Sequence, residues 1–586
     1  MSAVETSETQ ISKLARKLAL LNSTEHGGRA SLGSVIGRIL AEKPELKDRA
    51  TVVSRIASQE TNFVNSLTLE DQLHLLEQEF PSAREENILR KKEISRRDSE
   101  KIFALPELEG AARGEVITRF PPEPNGFMHI GHAKAAIIGS EYAKMYEGQF
   151  IFRFDDTSPV AEKKEYYEAF LSAFDWLEIK PNKVRNASDD MEKFYQFAEK
   201  LIRTNHAFVC TCSQKDIRDA RAKGIACIHR SNTTESNLKI WGEMLQRKKR
   251  KNEAVLRFLG NMQSKNTTMR DPVLFRIVED AHPVQGTKYW VWPTYDFDGP
   301  VEDSLDGVTH AMRSKEYEQR DELYYAVLAA LGLRQPRIVE FSRLSLENTT
   351  VSKRSLKRLI EEGKVEGWDD PRLPTIFGLR KRGFQPQAIK EFILSMGVSK
   401  AETEPTWDLL ESINRKLLDP LARRFFFVPQ PMQLEVQGSP EVEVTLRYHP
   451  EKDLGERMIH TKGRFWIPLE DSRQMKVGSK VRLIETYNVV INRIEKEGIL
   501  ASRIPDEDFT LLPKLQWVNA DGTVPFSVIV TGPLLKGEEF NPESLKKVSG
   551  LAEYSAGFLG EGDIIQFVRF GFCRVECKGR AILAHR

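Results

Sequence analysis

The chain has 586 residues, enough for about four domains at a typical ~150 residues each. Its 87 Lys and Arg nearly cancel 85 Asp and Glu, for a formal net charge of +2, which excludes a histone-like polyanion binder and confines any nucleic-acid contact to a local basic face. No apolar run reaches the roughly 18 residues that cross a bilayer, the start Met-Ser-Ala-Val-Glu-Thr-Ser has no basic or apolar leader pattern, and five cysteines are too few for a secreted disulfide scaffold. A cytoplasmic protein without a membrane partner is expected, its oligomeric state open and a monomer favoured.

Residues 1–108 read as helical, with Leu32, Val35, Ile36, Ile39 and Leu40 at the spacing of one helix face. The region ends in Arg90-Lys-Lys-Glu-Ile-Ser-Arg-Arg97, a run that suits either a solvated linker helix or a polynucleotide-backbone contact. Residues 109–209 follow the order strand, turn, helix, strand, which predicts half of a Rossmann-type parallel sheet. The first strand is 115–120 and the second Gln149-Phe-Ile-Phe-Arg-Phe154. Between them, Arg119-Phe-Pro-Pro-Glu-Pro-Asn-Gly-Phe-Met-His129-Ile-Gly-His132 turns into a helix whose apolar face is Ala135, Ala136, Ile137, Ile138, Tyr142 and Ala143. A helix start offers unpaired N–H groups and a positive dipole end to phosphate, and Gly126 and Gly131 let the backbone approach a nucleotide. His129 and His132 are candidates to donate to phosphate oxygens as a P–O bond breaks, although an isolated H-x-G-H more often only caps a helix. Asp155 follows the second strand at the end where α/β sheets collect ligands, and equally fits a helix N-cap.

Residues 210–290 read as an insertion. Cys210-x-Cys212 and Cys227-x-His229 offer three sulfurs and one imidazole, a set for a closed tetrahedral Zn²⁺ site or, at this uncommon spacing, ordinary buried thiols. A basic run at 247–251 and an apolar strand at 288–292 follow. The parallel fold resumes over 291–365, helical patterns fill 366–428, and 429–586 alternates in short stretches such as Val442-Glu-Val-Thr-Leu-Arg447 between Gly and Pro turns, predicting antiparallel β-barrels. The expected fold class is thus multidomain α/β: a Rossmann-type parallel-sheet catalytic domain with a zinc-type insertion, a helical N-terminal region and C-terminal antiparallel barrels. Cys573 and Cys577 lie far from the Cys/His cluster and read as incidental.

The string 119–132 resembles the HIGH signature of class I aminoacyl-tRNA synthetases, in the form of the glutamyl/glutaminyl subfamily. Phe341-Ser-Arg-Leu-Ser-Leu-Glu-Asn-Thr-Thr-Val-Ser-Lys353-Arg354 resembles the second ATP signature of that family, KMSKS. Here Thr350 and Val351 replace its first Lys and Met, and Arg354 its final Ser, while Ser352-Lys353 is retained. A lysine on such a loop follows the leaving phosphates and neutralises their charge. Gly367-Trp-Asp-Asp-Pro-Arg-Leu-Pro-Thr375 and Arg380-Lys-Arg382 resemble the segment near the inside of the tRNA L. The resemblance implies His129, His132 and Lys353 as catalytic, and Glu123, Asn125, Gly131, Arg343, Leu344, Ser352 and Lys353 as ATP-binding. It implies a glutamate pocket of Arg119, Asp155, Tyr295 and Arg313. Glutamyl enzymes of the archaeal and eukaryotic type carry arginine at the place of Arg313, and glutaminyl enzymes a small uncharged residue. A guanidinium pairs with the γ-carboxylate and is left poorly paired by an amide.

The same resemblance implies a structural zinc on Cys210, Cys212, Cys227 and His229, and ATP with Mg²⁺ held mostly by phosphate and water. The substrates are then ATP, L-glutamate and tRNA: glutamyl-adenylate forms and the acyl group passes to the 3′ end of tRNA(Glu), with tRNA(Gln) left open as a second acceptor. The insertion would meet the acceptor end, 366–428 the tRNA stem, and the barrels the anticodon bases. A glutaminyl enzyme and a noncatalytic tRNA-binding paralogue are the alternatives. Arg313 and the Cys/His cluster oppose the first, and the paired histidines with Lys353 the second.

Overall fold

The structure, a computed structural model, describes residues 8–25, 28–43, 46, 49–83, 105–350, 352–402, 404–505 and 512–586. It divides into two compact units, residues 1–104 and 105–586. In the first, α1 (Glu8–Glu25), α2 (Leu32–Glu42), α3 (Ala50–Asn65) and α4 (Leu69–Glu79) enclose a core that includes Ile11, Leu18, Val35, Ile39, Val53, Ile56 and Leu76. The basic run 90–97 lies outside the described residues.

In the second unit, β1 (Ile117–Phe120), β2 (Gln149–Phe154) and β3 (Lys183–Asn186) pair in parallel, crossing over through α5 (Ile130–Met145) and α6 (Lys164–Trp176). Parallel neighbours require such crossovers, and β2 is buried on both faces, which accounts for its apolar run. A second parallel pair, β8 (His310–Ser314) and β9 (Arg337–Phe341), is joined through α9 (Asp321–Leu331). Thr309, just before β8, donates its N–H to the Ile117 carbonyl at 2.9 Å and takes the Ile117 N–H on its hydroxyl at 2.9 Å. The strands therefore run β3-β2-β1-β8-β9, and the chain reverses direction across the sheet between β1 and β8. That is the switch point at which α/β sheets bind ligands.

Between the halves, β4 (Ala207–Cys210), β5 (Val255–Phe258), β6 (Val273–Ile277) and β7 (Val291–Pro293) form an antiparallel sheet, with α7 (Gln214–Lys223) beside the Cys/His cluster. This sheet extends a few residues beyond 210–290 at both ends. The strand expected at 288–292 begins only at Val291. Trp290 instead lies under Arg247 and Arg250, at 5.2 and 5.7 Å, and donates its indole N–H to the Lys249 carbonyl. Part of the basic run is therefore folded onto the protein's own tryptophan. From β7 the chain enters α8 (Tyr295–Leu305) and then β8.

The C-terminal region holds two seven-stranded sheets with separate cores, one around Phe427, Phe526 and Phe567, the other around Phe465, Leu483 and Trp517. The expectation of purely antiparallel barrels is corrected. Pro431–Gln437 pairs in parallel with Gly498–Ile504, Lys480–Leu483 with Lys514–Leu515, and Thr523–Thr531 with Arg580–His585. In one sheet the two edge strands, β10 (Arg423–Phe425) and β11 (Phe427–Pro429), are consecutive in the chain through Phe426, so the sheet curls back towards itself. Alternation reports which face is buried, not which strand lies alongside.

The two catalytic halves are joined by charge. Arg153 on β2 is fully buried and donates to Asp155 at 2.8 Å, Asp303 at 3.1 Å and Asp306 at 3.1 Å. Arg119 on β1 donates to both oxygens of Asp303, and Tyr324 of α9 adds a hydroxyl at 3.0 Å. Burial pushes Asp303 up, but Arg119 and Arg153 hold it down at about 2. Asp303→Ala leaves two buried guanidinium groups short of an anion, and about 3–5 kcal/mol of stability should be lost. Urea denaturation of both proteins side by side checks this; a loss below about 1 kcal/mol, the scale of an exposed pair, would sink it.

Candidate nucleotide and substrate site

The expected site residues come from separate elements and lie towards the carboxyl ends of the parallel strands. His129 is the N-cap of α5: its Nδ1 accepts from the N–H groups of Gly131 at 3.1 Å and His132 at 3.3 Å. His132 returns the contact, its Nδ1 accepting the His129 N–H at 3.4 Å. The two rings stack at 3.7 Å. Burial, then His132 and Arg343, hold His129 well below the ordinary imidazole range, and burial with Lys353 and Arg343 takes His132 to about 4. Both rings are therefore neutral at pH 7, and because each Nδ1 is an acceptor, the proton of each sits on Nε2. Neither Nε2 has a partner among the described residues. The turn thus presents two neutral N–H donors beside a helix N-terminus, a set matched to phosphate oxygens.

The second signature closes on the first. Lys353 opens α10 (Lys353–Glu361) and lies over Gly126, its Cε only 3.4 Å from where a Cβ on that glycine would stand. A Cβ on Gly131 would meet the His129 ring at 3.0 Å, with the Leu344 carbonyl 3.7 Å away. Burial lowers Lys353 to about 8, opposed by Glu123, so it is cationic at neutral pH. Ser352 is the N-cap of α10, Arg343 is exposed and paired to Glu316 at 3.1 Å, and Asn125 closes the turn by donating its N–H to the Glu123 carbonyl at 2.9 Å. Residues 374–376 also bind this turn: Ile130 donates to the Pro374 carbonyl, Ile376 to that of Met128, and Phe127 stacks on Trp368 at 5.4 Å. The segment 367–375 thus braces the histidine turn.

A cavity of about 520 Å³ opens beside this turn, lined by Glu123, Asp155, Tyr295, Asp298, Tyr317 and Arg320 among others. Asp155 is raised by burial, with Arg153 opposing, and its second oxygen has no partner among the described residues. Arg313 is buried, donating to Asp321 at 3.0 Å and to the Tyr295 hydroxyl at 2.9 Å. The rings of Tyr295, Tyr317 and Tyr324 stand 5.1–5.7 Å from its guanidinium carbon, and its Nε is buried without a partner. Arg119, expected in the same pocket, donates to Asp303 and to the Met312 carbonyl, one residue before Arg313. It backs the pocket through β8.

Four residues central to this geometry carried no motif. Lys134, buried within α5, donates to the Ser342 carbonyl at 2.7 Å and ties the first signature to the second. Arg153 was visible only as a charge inside an apolar strand, and Asp298 and Asp303 only as two of the four acidic residues of α8.

The Cys/His cluster is gathered as a donor set, its four ligand atoms within 4.8 Å of one another. Cys210 and Cys227 sulfurs are 3.7 Å apart, and His229 Nδ1 stands 3.8, 3.4 and 3.9 Å from the sulfurs of Cys210, Cys212 and Cys227. Zinc bonds of about 2.3 Å to sulfur and 2.0 Å to nitrogen give tetrahedral edges of about 3.5–3.8 Å, so the set fits the ion. His229 Nε2 meets the Thr211 hydroxyl at 2.9 Å, which leaves Nδ1 for a metal.

A family model described as tRNA synthetases class I (E and Q), catalytic domain, matches residues 115–420. Two models described as anti-codon binding domains of the same group match 422–504 and 514–576. A protein of Nitrosopumilus maritimus (strain SCM1) named glutamate–tRNA ligase is 44% identical over 581 residues, covering 99% of this chain and 100% of its own. Proteins of the same name from Cenarchaeum symbiosum (strain A) and Pyrococcus furiosus are 41% and 38% identical, covering 97% and 98% of this chain and 99% and 100% of their own lengths.

Nitrogen-detected NMR of histidine-labelled protein should show both imidazoles as Nε2–H tautomers at pH 6, with His132 taking its second proton only near about pH 4. A ring titrating at the ordinary value near 6.5 would contradict the capping geometry.

Proposed function

The chain belongs to the class I tRNA synthetases of the glutamate and glutamine group, and we infer that it is a glutamate–tRNA ligase whose proposed machinery is the site at the β1–β8 switch point. The observation that carries the reading is the convergence of His129, His132 and Lys353 on one glycine turn beside a cavity lined by Asp155, whose second oxygen has no partner among the described residues, and by Tyr295, whose hydroxyl holds the buried guanidinium of Arg313.

In the proposed first step, an α-carboxylate oxygen of glutamate attacks the α-phosphorus of ATP, and the bond to the bridging oxygen breaks to release pyrophosphate. The Nε2–H donors of His129 and His132 and the Lys353 ammonium stabilise charge on the phosphate oxygens as that bond lengthens. Mg²⁺ enters with the nucleotide, carried by phosphate and water. In the second step the terminal 2′-hydroxyl of tRNA attacks the acyl carbon and AMP leaves. No side-chain nucleophile takes part. Asp155 receives the substrate ammonium, and Arg313, steadied by Asp321 and Tyr295, takes the γ-carboxylate with the N–H donors that those two partners leave free. Arg119 acts by positioning β8. We propose tRNA(Glu) as the acceptor, its 3′ end against the 207–293 sheet and its anticodon against the two C-terminal sheets. Cys210, Cys212, Cys227 and His229 would hold Zn²⁺, which would cross-link the end of β4 to the turn after α7 and take no part in the chemistry.

Glutamate-dependent ATP–pyrophosphate exchange and tRNA charging, run with and without tRNA and against glutamine, test the assignment. Arg313→Ala should reduce the glutamate-over-glutamine ratio of kcat/KM by about ten- to a hundredfold, the worth of a charge-assisted hydrogen bond; an unchanged ratio would remove Arg313 from specificity. Elemental analysis should find one zinc per chain, lost in Cys210→Ser; zinc-free protein with unaltered tRNA charging would overturn the metal assignment.

A further inference from the structure

The cavity contains a carboxylate that the mechanism leaves unused. Four acidic side chains line it: Glu123, Asp155, Asp296 and Asp298. Glu123 faces Lys353, and Asp296 is paired to Arg320. Asp155 gives one oxygen to Arg153. Asp298 is 1% exposed; its Oδ2 accepts from the Thr157 hydroxyl at 2.5 Å, and its Oδ1 is buried with no partner among the described residues. The nearby cation Arg276 does not fill that place, because its donors go to the carbonyls of Pro293 and Thr157 and to the Ser158 hydroxyl. Burial and the charge of Asp155 both raise Asp298.

An oxygen in that position, walled from water and lacking a donor, is costly unless a ligand supplies one. Two neighbouring carboxylates, each with an oxygen that has no donor among the described residues, suit a cation with several donors, and a primary ammonium has three. Asp298 also stands one turn beyond Tyr295 on α8, about 4.5 Å along the helix axis. The Tyr295 hydroxyl accepts from Arg313. The helix that carries Asp298 into the cavity therefore also carries the hydroxyl that holds the Arg313 guanidinium, so one element positions an acceptor for the ammonium and a partner of the cation proposed for the γ-carboxylate. We propose that Asp298 Oδ1 accepts from the α-ammonium of glutamate and shares that cation with Asp155. This deepens the glutamate reading and rests on it.

Calorimetric titration with L-glutamate and with glutarate, which keeps both terminal carboxylates and lacks the ammonium, isolates this contact. Wild-type protein should prefer glutamate. D298N and D298S should each weaken glutamate by about tenfold or more, and leave glutarate within about twofold of wild type. The readout is the ratio of two Kd values in one preparation, which a reduced active fraction does not alter. An unchanged ratio in the variants, or equal weakening of both ligands, overturns the assignment of Asp298 while the glutamate reading stands. Wild-type protein that does not prefer glutamate over glutarate overturns that reading, and the inference with it.

Discussion

The catalytic fold depends on placing two arginines and their carboxylates where no water reaches. Arg153 and Asp303 are both fully buried, and between them they connect β2, β1 through Arg119, β3 through Asp306 and Arg185, and α9 through Tyr324. Removing such charges from water is expensive, and the attraction offsets that cost only when geometry and partners are complete. The arrangement is therefore either assembled as a whole or strongly disfavoured. This fixes the spacing of the strands at the switch point. It also aims Asp155 and, through the carbonyl of Met312, the strand that carries Arg313.

On that frame the proposed phosphate end sets two neutral histidines beside one cation, Lys353, and the proposed substrate end is made from charged groups. The histidine pair is kept uncharged by burial and by neighbouring cations, and its reciprocal capping sets the tautomer. Neutral donors at a helix start favour an anion without holding it as a permanent counter-ion, which suits a phosphate that must change partners. The amino-acid end has a caged guanidinium at one side and open carboxylate oxygens at the other, complementary to a zwitterion with an anionic side chain. The glycines matter where side chains crowd them: at Gly126 the Lys353 stem, and at Gly131 the His129 ring, occupy the space a Cβ would need.

Local pattern revealed elements but not their partners. The strand Gln149–Phe154, the helix after His132 and the alternating stretch Val442–Arg447 follow from periodicity, because each buries a face that its own spacing defines. The parallel pairings of the C-terminal sheets do not, since strands distant in sequence meet through contacts that alternation does not encode. Trp290 reads as part of an apolar strand until the neighbouring arginines are seen to cover its ring. A lone charge in an apolar element, such as Arg153 or Lys134, was the one visible trace of the buried polar contacts.

The sequence by itself determined the class of chemistry: a histidine turn, a lysine signature and Arg313 in the right order, each a short contiguous string whose residue types match phosphate and carboxylate. Tertiary structure alone decided what each charge does. It paired Arg119 with Asp303, brought Lys353 onto Gly126, gathered four metal-type ligands from two short pairs, and left Asp298 beside Asp155 with an oxygen unpartnered among the described residues. The reason is physical. A motif fixes which donors and acceptors are available, whereas burial and the partners supplied by distant segments determine their ionisation, their orientation and which of them stay free for a ligand.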